Sequence, residues 1–455
     1  MHKVVRSGAR LAAVASGALL AAPAAAQAVA CPSHVLRWQD DCSTLAGAKL
    51  SGLDRLRYIP VGQGWLTLGG EARVRVEDVD ANDFGIGGSR GFVTVGRRVF
   101  LSGDLHFTPR FRVFVQVAAA EEDGRKPGPR AFDQTEFDAT NLFVDLPATV
   151  GEVKLRARIG RQEMELSDNR LLGSREGVTI RRAFDGVELE AIARGARLKV
   201  FRVRPVDIRR GAFDDRSNPD ETFSGLSLDL PRQGRNRVTV YLFDRTRPGA
   251  QDLDYRGPER RWTAGARYAG AIGRFSSFAQ LSGQWGDAGG KSIGAFGGAA
   301  GTTVVFDAPH KPRLNSIFAF ASGDGRAGDR RLGTFDPVYP NGYGLSDAPF
   351  IYQTNFVFGG AEAVGDFGPA QFGVASYAIG RASTGDAVYA QGRPIPGSVG
   401  PHRGTAWLLQ ANTRMALAPR VDLYVSVVRA IVGRNLSDAG GHDATYMRFQ
   451  LTSRF

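Results

Sequence analysis

Nowhere in this chain do about 18 apolar residues follow one another, so no helix of the bilayer-spanning kind is encoded. Lysine is nearly missing. Of 58 basic residues only Lys3, Lys49, Lys126, Lys154, Lys199, Lys291 and Lys311 are lysine; the rest are arginine. The rigid guanidinium fork suits carboxylates and phosphates better than an ammonium does, although a GC-rich genome gives the same bias without any functional reason. Histidine is sparse and dispersed (His2, His34, His106, His310, His402, His442), and cysteine occurs only as Cys31 and Cys42. No zinc spacing can be assembled from these residues, and neither a metal nor a cofactor is expected. Disorder is excluded as well, because 10% aromatic residues and many Val/Leu/Phe clusters can fill a core.

What is present begins with an address. Lys3, Arg6 and Arg10 precede the apolar stretch Leu11 to Ala22, and Ala26-Gln27-Ala28 supplies a small-x-small cleavage site. Residues 1–28 therefore read as a secretory signal peptide, whose removal takes the formal charge from +12 to about +9. Cleavage before Cys31 to give a lipoprotein is the rival reading, with Ala28 standing where a lipobox carries Leu. In an oxidising compartment Cys31 and Cys42 are expected to form one disulfide around Trp38, within a periplasmic segment 29–64.

Residues 65–455 repeat one motif, a strand of about ten residues followed by a polar connection. Leu66, Leu68, Gly70, Ala72, Val74 and Val76 share one face, and Thr67, Gly69, Glu71, Arg73, Arg75 and Glu77 the other. Val113, Val115 and Val117 alternate with Arg112, Phe114 and Gln116; Leu155, Ala157 and Ile159 with Lys154, Arg156 and Arg158; Leu423, Val425 and Val427 with Asp422, Tyr424 and Ser426. No helical period persists over a comparable length. Arginine, glutamine, threonine and acid fill the second face, leaving no second apolar set for a sandwich. Lipid outside and water inside make that pattern economical, and closure removes exposed edges. About eighteen such segments can be counted, in the range of bacterial outer-membrane barrels. The expected fold is thus all-β, an antiparallel transmembrane β-barrel with short periplasmic turns and long extracellular loops.

Thr108-Pro109-Arg110 and Ala418-Pro419-Arg420 read as tight turns, as does Asp145 to Glu152. Ala120 to Thr140, Asp207 to Glu221, Gly286 to Gly301, Gly323 to Asp347 and Arg381 to Gly404 read as long loops. Trp65, Trp262, Trp407, Tyr58 and Tyr446 are candidates for the bilayer interfaces. The last stretch, Tyr446 to Phe455, places Met447, Phe449, Leu451 and Phe455 on one face. A final strand ending in Phe resembles the signal read by the barrel-assembly machinery of Gram-negative outer membranes.

One stretch is more specific: Arg158-Ile159-Gly160-Arg161-Gln162-Glu163-Met164, then Asn169-Arg170-Leu171-Leu172-Gly173, Arg175-Glu176-Gly177 and Arg181-Arg182-Ala183-Phe184-Asp185-Gly186-Val187. It resembles the alginate-export family of outer-membrane proteins, in which a Gly-Arg-Gln strand end precedes a loop and an Arg-x-x-Phe/Ile-Asp strand start. The match covers about thirty residues, with strand rhythm, length and the terminal aromatic agreeing elsewhere. The resemblance implies an eighteen-stranded barrel that passes a polyuronate through an arginine-lined lumen, with Arg161, Gln162, Arg181, Arg182 and Asp185 on the substrate path. Strand parity adds Arg73, Arg75, Arg98, Arg112, Arg156, Arg158, Arg197, Lys199, Arg414 and Arg448 to the inner face. Each, placed instead on the lipid face at the midplane, costs about 2–4 kcal/mol.

The first functional reading is an outer-membrane channel, not an enzyme, that conducts an anionic polysaccharide by passive diffusion and meets lipid on its outside. A general or small-anion diffusion porin is the alternative. A barrel enzyme acting on lipid or peptide is a third, with His106 as its base, though no Ser or Asp stands in a recognisable relation to that histidine. Nucleic acid is excluded as a partner by export to the envelope.

Overall fold

The computed structural model describes residues 31, 34–166, 169–251, 255–342 and 345–455; the expected signal peptide lies outside them. Eighteen long strands follow one another in chain order. The first six are β1 (Gly64–Val79), β2 (Phe92–Thr108), β3 (Phe111–Asp123), β4 (Thr135–Val150), β5 (Val153–Gln162) and β6 (Phe184–Ala193). Next come β7 (Ala196–Asp207), β8 (Thr222–Asp229), β9 (Arg237–Gln251), β10 (Arg256–Ile272), β11 (Phe275–Ala288) and β12 (Lys291–Val305). The last are β13 (Arg313–Ala321), β14 (Phe356–Phe367), β15 (Ala370–Gly380), β16 (Gly404–Ala418), β17 (Val421–Val432) and β18 (Ala444–Arg454).

Each strand pairs antiparallel with the next, and β18 returns to β1 with Arg454 opposite Glu71 and Tyr446 opposite Val79. Gly70 and Phe455 exchange both backbone hydrogen bonds at the seam (3.1 and 3.0 Å). The sheet is therefore closed and has no free edge. Alternation decides which way each side chain turns. Along β11, Leu281 is 64% exposed on the outside, whereas its neighbours Gln280 (6%) and Ser282 (7%) are buried inside. The outward set forms the apolar band that faces lipid; no described helix is long and apolar enough to cross a membrane.

One rim carries tight turns such as 150–153, 193–196, 272–275 and 367–370, and the other carries most of the long loops. The Gly286 to Gly301 stretch, expected as a long loop, is instead the end of β11, a two-residue turn and most of β12. Gly289 and Gly290 make that turn with φ of +58° and +80°, the geometry that a two-residue hairpin needs. Two of the aromatic expectations are also corrected. Trp65 stacks inward on His106 at 4.1 Å, and Tyr446 is fully buried in the interior beside Glu77 and Arg448. Trp262 and Trp407 do turn outward, Trp262 stacked on Trp285 at 6.4 Å.

Candidate functional site

The inner wall of β2 to β7 carries a ladder of opposite charges, because inward positions two residues apart on neighbouring strands come into register. Arg112 bridges Asp104 (2.7 Å) and Asp145 (3.1 Å), and Arg158 grips Asp145 through two 2.7 Å hydrogen bonds. Arg156 reaches Glu188 at 2.7 Å, while Lys199 and Arg197 close the ladder on Glu190 at 3.9 and 3.7 Å. On β1 and β2, Arg98 binds Glu71, and Arg75 pairs with Glu77 at 3.3 Å. Pairing of this kind offsets the desolvation that a guanidinium meets inside the wall.

Two long loops fold into the bore instead of standing above it. The loop 163–183 is held by wall arginines through its backbone: Arg73 donates to the Glu176 and Val178 carbonyls, Arg75 to Gly177, and Arg98 to Thr179 at 3.2 Å. The Glu176 carboxylate meets Arg73, Arg98 and Arg181. Burial raises its proton affinity, but those three cations outweigh burial and hold it below the usual carboxylate range. Arg181 also reaches Glu163 (3.0 Å). From the other side the loop 322–355 enters and pairs with the first: Tyr339 donates to Leu171, and Gly173 donates to Tyr339, each at 2.9 Å. Arg245 and Arg261 on β9 and β10 accept this second loop by donating to the Val338 and Thr334 carbonyls at 3.2 Å. Arg448 does the same for Asp347 at 2.9 Å.

A third element fills the end of the bore with the tight turns. Residues 34–57 form short 3-10 turns, and Cys31 is joined to Cys42 by a disulfide. Val35 accepts a hydrogen bond from Arg181, and Trp38 accepts one from Arg112, both at 2.6 Å. The Trp38 ring lies under the Arg158 guanidinium (4.0 Å) and edge-on to Phe143 (6.3 Å). Arg37 and Arg57 both donate to the Phe455 carbonyl (2.6 and 3.2 Å). The segment expected to precede the barrel is thus packed inside it.

Of the residues expected on the path, Arg73, Arg75, Arg98, Arg112, Arg156, Arg158, Arg197, Lys199, Arg414 and Arg448 do face inward. Among the described residues Arg414 meets the Tyr424 ring, at 5.8 Å, and no acid. Arg181 and Arg182 lie in the inward loop, and Gln162 is buried at its entrance. Arg161 and Asp185 are corrected. They stand opposite one another and share the outward face of Leu142, Ile159 and Val187. Arg161 clasps Asp185 in bidentate fashion (2.8 and 3.1 Å) and donates to the Ala139 and Asp215 carbonyls, beneath the loop 208–221. The reason is plain alternation, since Arg161 stands two residues after Ile159 and Asp185 two before Val187 in an unbroken register. Beside them the Gly160–Gly186 pair, with φ of +128° and +155°, lies so near neighbouring backbone that a Cβ on either would sit 2.3 Å from a carbonyl oxygen. His106, the enzyme candidate, has Asp104 at 3.3 Å on its own strand, a relation that the sequence reading missed. Among the described residues no hydroxyl is hydrogen-bonded to its ring.

Outside the expected set were Trp38, named only for the disulfide loop, Tyr339, and Asp336, which meets Arg245, their positions depending on loop paths; so were Arg245, Arg261 and Glu259, whose carboxylate meets Arg245 at 3.1 Å and Arg261 at 2.7 Å. These last three were within reach, since Arg245, Glu259 and Arg261 hold inward parity on their strands.

The model of the alginate-export family matches residues 64–450. The chain belongs to that family. No curated protein matches its sequence. Among solved structures the fold is similar to that of Acinetobacter baumannii OccAB1 (TM-score 0.59, 12% identity, 86% of this chain and 96% of that one). It is similar too to Pseudomonas aeruginosa OccK5 (0.56, 11%, 86% and 98%). A third is Pseudomonas aeruginosa OccK2, solved in complex with glucuronate (0.54, 16%, 86% and 98%). Closed barrel, family and likeness together make this alginate-export member a channel of the bacterial outer membrane, with lipid against its outer face.

Proposed function

We propose that this channel passes an anionic, alginate-like polysaccharide by diffusion through a lumen lined with arginine, without cofactor or catalysis. The observation that carries the reading is the use made of the inner guanidinium groups. Arg73, Arg75, Arg112, Arg181, Arg245 and Arg448 spend donors on neutral backbone carbonyls of loops and N-terminal segment. A carboxylate is a stronger acceptor than a carbonyl for such donors. The bore therefore holds positive charge against its own inward loops and N-terminal segment, and a uronate chain competes for the same donors while each contact stays weak enough to release. Single-channel recording tests this: oligouronates of several residues are expected to interrupt anion current, and neutral oligosaccharides of equal length are not.

The alternative, a porin for small acids, is favoured by the two inward loops and the packed segment, which narrow the route for a polymer. The glucuronate bound to OccK2 belongs to a barrel of like fold. Interruption by monomeric uronate without interruption by longer chains selects this reading.

Export supports both. We propose that residues 1–28 direct the chain across the inner membrane and are removed, leaving residues 29–64 as the segment ahead of the barrel. Assembly through β18, with Phe455 as its terminal aromatic, belongs to the same proposal.

A further inference from the structure

Several arginines on the outer face of the wall bring their own acid. Arg97 meets Asp123, Arg260 meets Asp244 and Arg429 meets Asp443, each at 3.0 Å. Arg202 and Arg204 on β7 do not. Both are exposed and turn outward, while Phe201 and Val203 between and beside them are buried in the interior. Neither arginine has a carboxylate within ion-pair distance among the described residues. Asp185 stands opposite Arg204 in register, but its two oxygens accept from Arg161 at 2.8 and 3.1 Å. Arg202 stands between Val187 and Ser224, neither of them charged.

The row directly beneath is apolar. Leu189, Val200 and Leu226 stand side by side across β6, β7 and β8 and are 51%, 43% and 38% exposed. Because β7 leaves the tight turn 193–196, Arg202 and Arg204 follow that row toward the rim with the long loops. In an outer-membrane barrel this rim faces the outside of the cell. The two arginines thus stand where the hydrocarbon of the outer leaflet gives way to its head groups. A guanidinium exposed there without an acid of its own fits a phosphate, which takes the planar fork in bidentate fashion. Residues two apart on one strand face stand about 7 Å from one another, close enough for one phosphate to meet both forks.

We propose that Arg202 and Arg204, with Leu189, Val200 and Leu226 beneath them, form a docking surface for a phosphorylated glycolipid of the outer leaflet. The lipid's phosphate bridges the two guanidinium groups, and its acyl chains lie against the apolar row. The surface is on the outside of the tube and is separate from whatever solute the bore carries.

Native mass spectrometry of the folded, detergent-solubilised barrel tests this with three lipids: lipid A bearing both phosphates, dephosphorylated lipid A, and phosphatidylglycerol. The double variant Arg202→Gln with Arg204→Gln is expected to bind lipid A at least about tenfold more weakly than wild type, as the loss of charge-assisted hydrogen bonds predicts. Both positions are exposed, so the variant is expected to keep its folded band on gels. Dephosphorylated lipid A is expected to bind wild type no better than lipid A binds the variant. Arg326→Gln with Arg330→Gln, at exposed positions of the loop 322–355, removes the same charge and should leave affinity unchanged. Equal affinity for lipid A in wild type and the Arg202/Arg204 variant overturns the surface. An equal loss in the Arg326/Arg330 variant also overturns it, because overall charge then explains the effect. Phosphatidylglycerol bound as tightly as lipid A overturns the glycolipid as the partner. If the Arg202/Arg204 variant gives no folded band, the two forms of lipid A on wild type decide, and equal binding of both overturns the surface.

Discussion

Arg98 shows what a single inner arginine holds. Its side chain is wholly buried and bonds Glu71, Glu176 and two carbonyls of the inward loop. Arg98→Met leaves two acids short of a partner, and the expected loss of stability is about 3 kcal/mol, read from urea unfolding of the detergent-solubilised barrel. A loss within experimental error counts against this account. Asp215, in the loop 208–221, offers a pH test. Burial comes first among its influences, and with Asp138 it outweighs the Arg209 amide and Arg161, so the carboxyl is pushed up to about 6. Because the folded value is raised, its protonated form favours the docked loop. That stabilisation is full below about 4 and is lost as pH rises through about 6. The protection factors of amides in residues 208–217, with intrinsic base-catalysed exchange divided out, should therefore rise from pH 7 to 5, and Asp215→Asn should abolish that rise. At this scale the inward arginines were legible from parity alone. Their partners were not, since Glu176 stands 78 residues from Arg98 along the chain.

At the level of elements, strand rhythm counted about eighteen segments where eighteen long strands form, and its bounds failed where small residues mask a strand. In β12, Gly298 and Gly301 fell within a stretch read as a long loop. A Cβ on Gly298 would meet the Gln280 carbonyl at 2.6 Å and Leu281 at 2.7 Å, and one on Gly301 would meet Phe278 at 2.7 Å. The neighbours' bulk, invisible in a local window, makes glycine a strand residue there. The Gly160–Gly186 pair was read as part of a family motif, and close backbone on both sides is what requires glycine there. Gly160→Val is expected to cost at least about 1–3 kcal/mol and to reduce the heat-modifiable folded band on gels. Loop paths and the docking of residues 34–57 could not be read, since neither has a period. Excising residues 31–57 should raise single-channel conductance, and unchanged conductance would show that the segment does not obstruct the bore.

For the whole molecule, inside and outside are told apart by one residue of register. Leu281→Arg, on the outer face at mid-strand, is expected to cost about 2–4 kcal/mol in bilayer refolding. Ser276→Arg, on the inner face of the same strand where the position is exposed, should cost little. Equal costs would contradict the assignment of faces.

The wall arginines seize the inward loops mostly by main-chain oxygens, which every amino acid possesses. Substitutions along those loops can accordingly drift without loosening their moorings. Relatives sharing this scaffold are free to diverge in what they admit while keeping the same gauge, and preference for cargo becomes evolvable independently of the tube that carries it.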